Sequence, residues 1–164
     1  MRTIRDGILD GKNAFITGGT SGINLGIAKR FAEAGANVAV LGCKRDKADA
    51  AAQQIGALGR KCVAVTADVR DPAALTAAID DVFRQLGPLD LVVCGAAGNF
   101  PAPAMGMSPN GFKAVIDIDV LGTFNAMRLT FEHLRKPGAC ILNVSAPQAQ
   151  HPAMMQAHVA AAKA

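Results

Sequence analysis

Short apolar runs alternate along the chain with longer stretches of helical composition. Five apolar runs are each too short for a helix and typical of a buried strand. They cover residues 13–17, 37–41, 61–66, 89–94 and 139–145. Helical composition marks residues 27–34, 46–58, 71–86 and 109–135, and another helix begins at about residue 153. Buried strands that alternate with helices form parallel sheets covered on both faces. The pattern therefore predicts an α/β fold, a Rossmann-like doubly wound parallel sheet, over residues 1–164 as one domain.

Composition serves mainly to exclude classes of protein. Hydrophobic residues make up 51% of the chain and charged residues 18%, as in globular proteins. No apolar run reaches the ~18 residues of a membrane helix, and the first residues are too polar for a signal peptide. The net charge of +4 is scattered and aromatic residues are only 4%, so neither a membrane nor nucleic acid is an expected partner. The four cysteines lack metal-site or disulfide spacing, which favours a reducing compartment and a cytoplasmic location.

A glycine-rich turn, Thr17-Gly-Gly-Thr-Ser-Gly-Ile-Asn-Leu-Gly26, joins the first predicted strand to the first helix. Gly18 permits a sharp turn off the strand, and Gly22 lets the backbone approach a pyrophosphate closely. The free N–H groups at the helix start then face the anion. A flexible turn without a ligand is the alternative, but the order of strand, turn, helix and strand favours a dinucleotide site.

The end of the second predicted strand indicates which dinucleotide binds. NAD sites usually place an acid there, bonded to the ribose 2′-hydroxyl. This sequence reads Leu41-Gly-Cys-Lys-Arg45, with no acid before Asp46. Lys44 and Arg45 suit a 2′-phosphate, unless they are only solvated loop residues. The predicted cofactor is therefore NADP, bound as NADPH.

Four segments in order resemble the short-chain dehydrogenase/reductase family, and the resemblance covers essentially the whole chain. They are Thr17–Gly26, Asp68-Val69, Cys94–Gly98 and Lys163. The typical turn is Thr-Gly-x-x-x-Gly-x-Gly, and Asn24 replaces its final glycine. Asparagine tolerates unusual backbone angles, and we expect Gly26 to relieve its bulk.

The resemblance implies coenzyme contacts well beyond the glycine turn. Asp68 matches the acid that contacts adenine in the family, and Lys163 matches the lysine that holds the nicotinamide ribose. The complete set of expected coenzyme-binding residues is Thr17, Gly18, Ser21, Gly22, Asn24, Lys44, Arg45, Asp68, Val69, Ala96 and Lys163.

The family's catalytic residues are Asn, Ser, Tyr and Lys, and only the lysine is retained here, as Lys163. Val159 stands where the tyrosine belongs, Ala146 where the serine belongs, and Asp119 where the asparagine usually lies. The chain contains no tyrosine at all, so phenol-based carbonyl reduction within these residues is excluded.

One branch of the family, the 2,4-dienoyl-CoA reductases of peroxisomal type, is similar in this respect. The matching features are Ala96-Ala-Gly-Asn-Phe100, Asp117-Ile-Asp119 and the spacing of His158 and Lys163. The resemblance implies hydride transfer from NADPH to a dienoyl thioester and a proton from a water held by Asp119. It also implies that Asn99 and Phe100 border the acyl chain. The alternatives without a functional role are that Asp119 is structural, that Lys163 lies on the surface, and that Phe100 and His158 only pack against neighbouring residues.

Two other functions remain open at this point. The first is a 3-oxoacyl or other carbonyl reductase with a rebuilt proton relay, and the second is a nucleotide-binding sensor or assembly subunit without catalysis. By resemblance we expect a homo-oligomer, commonly a tetramer, and a peroxisomal location if the source is a eukaryote. The chain stops within the last predicted helix, so we also expect truncation after the fifth strand. It would then lack the family's C-terminal strands and substrate loop and be inactive alone.

Overall fold

The computed structural model describes residues 5–164 and shows the predicted alternation of strands and helices. The strands in this part are β1 (Asn13–Thr17), β2 (Asn37–Gly42), β3 (Cys62–Thr66), β4 (Leu91–Cys94) and β5 (Cys140–Asn143). The α-helices are α1 (Gly22–Glu33), α2 (Arg45–Gly56), α3 (Pro72–Leu86), α4 (Pro109–Ile116), α5 (Gly122–Thr130) and α6 (Ala157–Lys163). None of these helices is both long and apolar enough to cross a membrane.

All five strands are parallel and lie in the order β3-β2-β1-β4-β5. The chain starts in the middle of the sheet, proceeds outward to β3, and then crosses to β4 on the other side of β1. Thr17 at the end of β1 is in register with Leu41 on one side and Cys94 on the other. This change of direction opens a crevice at the carboxyl ends of the strands, where doubly wound sheets bind ligands. The predicted fold class is confirmed.

Two apolar layers cover the sheet, one on each face. Successive strand residues point to opposite faces, so Phe15 packs with the layer that contains α3 and α5, and Ile16 packs with α1 and α2. Both side chains are fully buried. The doubly covered sheet holds the carboxyl ends of β1 and β4 as a rigid base for the crevice.

Several element boundaries differ from the sequence prediction. Helix α1 begins at Gly22 rather than residue 27, because the glycines that lower helix propensity belong to its first turn. The predicted helix 109–135 is divided by a π-helical segment, Asp117–Leu121, and its regular part ends at Thr130. Helix α6 begins at Ala157 rather than residue 153.

Strand β5 also differs, because it is not buried as predicted. Three of its four residues are exposed, Cys140 and Leu142 among them. The reason is its place in the sheet: β5 pairs with β4 on one side and forms an edge of the sheet in the described part. A run of apolar residues cannot by itself distinguish a central strand from an edge strand.

Candidate active site

A cavity of about 710 Å³ opens at the carboxyl ends of the strands, within the size range of small-molecule and cofactor sites. Most of the residues expected from the sequence to form a site line this cavity. They are Gly18, Ser21, Gly22, Asn24, Asp68, Val69, Ala96, Asn99, Asp119 and Lys163. The fold therefore brings the glycine turn, the loop after β4, the π-helical segment and α6 to one place.

The glycine turn has the backbone that its sequence predicts. Gly18 and Gly22 have φ of +68° and +58°, which favour glycine. A Cβ at Gly18 would lie 3.0 Å from backbone atoms of Gly95 and Ala96, whereas a Cβ at Gly22 would meet nothing within 4 Å and would stand at the cavity wall. Ser21 precedes α1 in extended conformation and makes no side-chain cap. The first amides of α1 are thus left for an anion.

Thr17 lies below the turn and does not line the cavity. Its hydroxyl accepts hydrogen bonds from the N–H groups of Gly95 at 3.0 Å and Ala96 at 3.2 Å. The side chain is buried, and its role in the structure is to join the end of β1 to the loop after β4.

Asn24 lies in the first turn of α1, and its Nδ2 donates to the carbonyl oxygen of Gly95 at 2.7 Å. Gly26 is not the residue that makes room for it, because the space around Gly26 is open. Room is provided by Gly95, where a Cβ would lie only 2.4 Å from the Asn24 amide.

The two basic residues after β2 lie outside the cavity lining. Lys44 is the N-cap of α2, and the Arg45 guanidinium binds the Asp49 carboxylate at 2.8 Å on the helix surface. Arg70, which the sequence analysis did not single out, does line the cavity. Its guanidinium lies 2.6 Å from a carboxylate oxygen of Asp68 and lowers the pKa of that carboxyl group. The only sequence signal for Arg70 as a cavity residue was that it directly follows Asp68-Val69.

Asp119 and Lys163 form an ion pair in the cavity wall. Asp119 Oδ1 accepts the Gly98 N–H at 2.6 Å, and Oδ2 lies 3.2 Å from Lys163 Nζ. The two side chains are only 1% and 12% exposed, respectively. Lys163 Nζ also donates to the Val144 carbonyl at 3.4 Å. Asp119 Oδ2 has this ionic contact but no hydrogen bond from the described residues, so it retains acceptor capacity.

Apolar side chains stand where the family has its two catalytic hydroxyl groups. Ala146 and Val159 both line the cavity beside Lys163. Gln148, a further lining residue that the sequence analysis missed, donates through Nε2 to Gln156 Oε1 at 2.8 Å. No sequence signal distinguished Gln148 from other polar loop residues.

Phe100 is not part of the cavity lining, in contrast to Asn99. Its ring packs against His158, with the ring centroids 4.5 Å apart. His158 is fully buried, and neither ring nitrogen has a hydrogen-bond partner in the described part. This ring contact is what the loop-packing alternative predicts, and the expected place of Phe100 beside an acyl chain stays a prediction.

Comparisons with known proteins agree with the fold and identify the family. The family model described as short chain dehydrogenase matches residues 12–164. The peroxisomal 2,4-dienoyl-CoA reductase of Rattus norvegicus is 40% identical over 159 residues, which cover 96% of this chain and 54% of the relative. A probable 2,4-dienoyl-CoA reductase of Bacillus subtilis is 35% identical over 158 residues, 95% of this chain and 62% of that protein. A solved short chain dehydrogenase from Mycobacterium smegmatis has a TM-score of 0.92 at 26% identity, with coverage of 99% and 70%. The chain spans about half the length of the curated relatives it matches.

Proposed function

Because the chain belongs to the short-chain dehydrogenase family, we propose that it is part of an NADPH-dependent oxidoreductase that reduces an unsaturated acyl thioester of the 2,4-dienoyl-CoA type. The observation that carries the proposal is the buried Asp119–Lys163 pair, which lines the cavity together with Ala146 and Val159. A charged pair in a cavity without a tyrosine suits a reaction in which no alkoxide is formed.

The glycine turn fits the diphosphate of a nicotinamide coenzyme. Gly22 leaves its side of the cavity open, and the unpaired amides at the start of α1 supply the donors and the positive end of the helix dipole. Lys163 lines the same cavity, where it would hold the nicotinamide ribose. When bound there, the coenzyme supplies the hydride.

The acceptor determines which side chains the reaction needs. Reduction of a ketone creates an alkoxide that requires a nearby proton donor, which a phenol beside a lysine provides. Reduction of a conjugated dienoyl thioester at its far carbon moves the electron pairs toward the thioester and forms a dienolate. One proton added to the α-carbon then completes an enoyl thioester with a single remaining C=C bond. Binding of the dienolate oxygen and delivery of that proton suffice.

Asp119 and Lys163 have the geometry for these two tasks. The free acceptor capacity of Asp119 Oδ2 orients a water molecule, and that water donates the proton to the α-carbon. The hydroxide that remains takes up a proton from solvent. The Lys163 ammonium, 3.2 Å from the same oxygen, keeps the carboxylate in place and adds positive potential where negative charge develops. Asn99, which lines the cavity, and the next residue, Phe100, border the substrate.

The preference for NADPH rests on charge at the end of β2. No acid precedes Asp46 there, and three basic residues, Lys44, Arg45 and Arg70, lie at or near the ends of β2 and β3. Arg70 lines the cavity and is thus a third candidate for the 2′-phosphate, beside Lys44 and Arg45.

Self-association and location complete the proposal. Large apolar side chains are 40–53% exposed along α4, the π-helical segment, α5 and the residue directly after α5, which supports a homo-oligomer. They include Phe112, Val120, Leu121, Phe124 and Phe131. The relatives named above include peroxisomal enzymes, so we propose a peroxisomal location in a eukaryote and a cytoplasmic one otherwise.

A spectrophotometric assay distinguishes the dienoyl-CoA reductase from the two alternative functions. The full-length protein is incubated with NADPH and hexadienoyl-CoA, with NADPH and acetoacetyl-CoA, or with NADPH alone, and the absorbance of the reduced nicotinamide is followed. Loss of absorbance with the dienoyl ester alone is the expected result. Loss with the ketoester would favour a carbonyl reductase, and coenzyme binding without turnover would favour a sensor or assembly subunit.

A further inference from the structure

The loop at residues 95–98, which lines the cavity after β4, is held at both ends by side chains. The Thr17 hydroxyl accepts the Gly95 and Ala96 N–H groups at 3.0 and 3.2 Å, and the Asp119 carboxylate accepts the Gly98 N–H at 2.6 Å. Asn24 makes the remaining contact, from Nδ2 to the Gly95 carbonyl at 2.7 Å. Thus Thr17 of β1 binds the N–H of Gly95, and Asn24 of α1 binds its carbonyl oxygen.

The Asn24 amide occupies the space that a side chain at position 95 would need. A Cβ on Gly95 would lie 2.4 Å from Asn24 Oδ1 and 2.5 Å from both Cγ and Nδ2. All three amide atoms are closer than any real Cβ contact, so the whole amide would have to move away. Asparagine at 24 and glycine at 95 are therefore compatible with each other, whereas a larger residue at 95 requires a smaller one at 24.

The hydrogen bond also fixes which way the amide faces. A carbonyl oxygen only accepts, so the nitrogen of Asn24 must point at the Gly95 carbonyl. Asn24 Oδ1 lies on the side of Gly95 where a Cβ would stand, 2.4 Å from that position, and is buried without a hydrogen-bond partner among the described residues. The whole amide is therefore packed on Gly95, and Asn24 also lines the cavity.

We propose that Asn24 and Gly95 are a matched pair through which Asn24 positions loop 95–98 for coenzyme binding. This inference rests on the proposed coenzyme site. It gives Asn24 a positioning role that the glycine usual at this place in the family cannot fill.

The test is a double-mutant cycle with Asn24→Gly, Gly95→Ala and the two changes combined. Gly56→Ala is the matched control, because Gly56 ends α2 away from the cavity and a Cβ there meets nothing within 4 Å. The dissociation constants of NADPH and NADH are measured by fluorescence titration, and the unfolding midpoint of each variant is measured without coenzyme.

Asn24→Gly is expected to weaken both coenzymes about 5-fold, the effect of about one lost hydrogen bond. Gly95→Ala is expected to weaken them at least ~10-fold, because the added Cβ displaces the amide as well as breaking its bond. The double variant should bind no worse than Asn24→Gly, within about 2-fold, since removal of the amide at position 24 leaves room for the new methyl group at position 95. Gly56→Ala should bind as the wild type does.

Additive effects of the two changes, or unaltered coenzyme affinity in Asn24→Gly, would overturn the proposal. The unfolding midpoints separate this result from a failure of the proposed function. If the wild type binds neither coenzyme, the proposed function and the coenzyme role of Asn24 both fail. Non-additive midpoints would in that case still uphold the steric pairing of Asn24 with Gly95.

Discussion

Asp119 offers the sharpest single-residue test of the proposed chemistry, because its two oxygens have different tasks. Oδ1 accepts the Gly98 N–H at 2.6 Å, while Oδ2 faces Lys163 at 3.2 Å and has no hydrogen bond from the described residues. Asp119→Asn preserves an acceptor for Gly98 and removes the charge. Asp119→Ala removes both and leaves the Lys163 ammonium, only 12% exposed, without its partner.

The expected magnitudes follow from these contacts. Loss of one partner of a buried ion pair costs about 3–5 kcal/mol, and we expect Asp119→Ala to lower the free energy of unfolding by about 3 kcal/mol because Lys163 retains some solvent contact. Turnover should fall at least ~10²-fold, since the water that donates the proton loses its acceptor. The Asp119→Asn variant should show a similar loss of turnover but a smaller loss of unfolding free energy, because its bond to Gly98 is retained.

The assay follows oxidation of NADPH with hexadienoyl-CoA in the full-length protein, with coenzyme affinity measured in parallel. Asp117→Asn is the matched control, since Asp117 lies in the same π-helical segment but pairs with Lys113 and does not line the cavity. Coenzyme affinity should change less than about 3-fold in Asp119→Asn, which keeps the bond to Gly98, and in Asp117→Asn. Unchanged turnover in Asp119→Ala, or an equal loss in Asp117→Asn, would refute the role given to Asp119.

Two further predictions concern coenzyme preference and acid stability. NADPH should bind more tightly than NADH. Alanine in place of whichever of Arg70 and Lys44 contacts the 2′-phosphate should weaken NADPH binding at least ~10-fold and have little effect on NADH binding. Equal affinity of the wild type for both coenzymes would contradict this. Burial alone would raise the pKa of Asp90, but hydrogen bonds from the Asn13 N–H and from two basic side chains, Arg135 among them, together lower it. Its folded pKa then lies below the unfolded value of about 3.9, so its contribution is present above that pH and is lost as pH falls through the folded pKa. Asp90→Asn should therefore cost about 2–4 kcal/mol of unfolding free energy at about pH 7 and less at about pH 3, and an equal loss at both pH values in chemical denaturation would contradict it.

The strand–helix alternation could be predicted because short apolar runs and glycine-rich turns are local signals. Gly18 and Gly22 illustrate this, since their positive φ angles follow directly from the turn that the sequence requires. The π-helical segment could not be predicted, because its composition does not differ from that of an α-helix. Yet this segment places Asp119 opposite Lys163.

The rest of the site depends on which strands become neighbours. Arg70 was missed because only the pairing of β2 with β3 brings the ends of those two strands to the cavity. The contact between Asn24 and Gly95 joins residues far apart in the chain, and no periodicity indicates it. Phe100 was placed beside the substrate by resemblance alone, and its packing on His158 is a tertiary contact.

The most direct test of the coenzyme site compares Gly22→Ala with Gly59→Ala. Both glycines have positive φ, +58° and +81°, and at neither would a Cβ meet another atom within 4 Å. The backbone cost of about 1–2 kcal/mol is thus similar, but only Gly22 lines the cavity, where the diphosphate would meet the first amides of α1. We expect Gly22→Ala to weaken NADPH at least ~10-fold in calorimetric titration and Gly59→Ala to bind as the wild type does. Wild-type affinity in Gly22→Ala would contradict a coenzyme held by this turn.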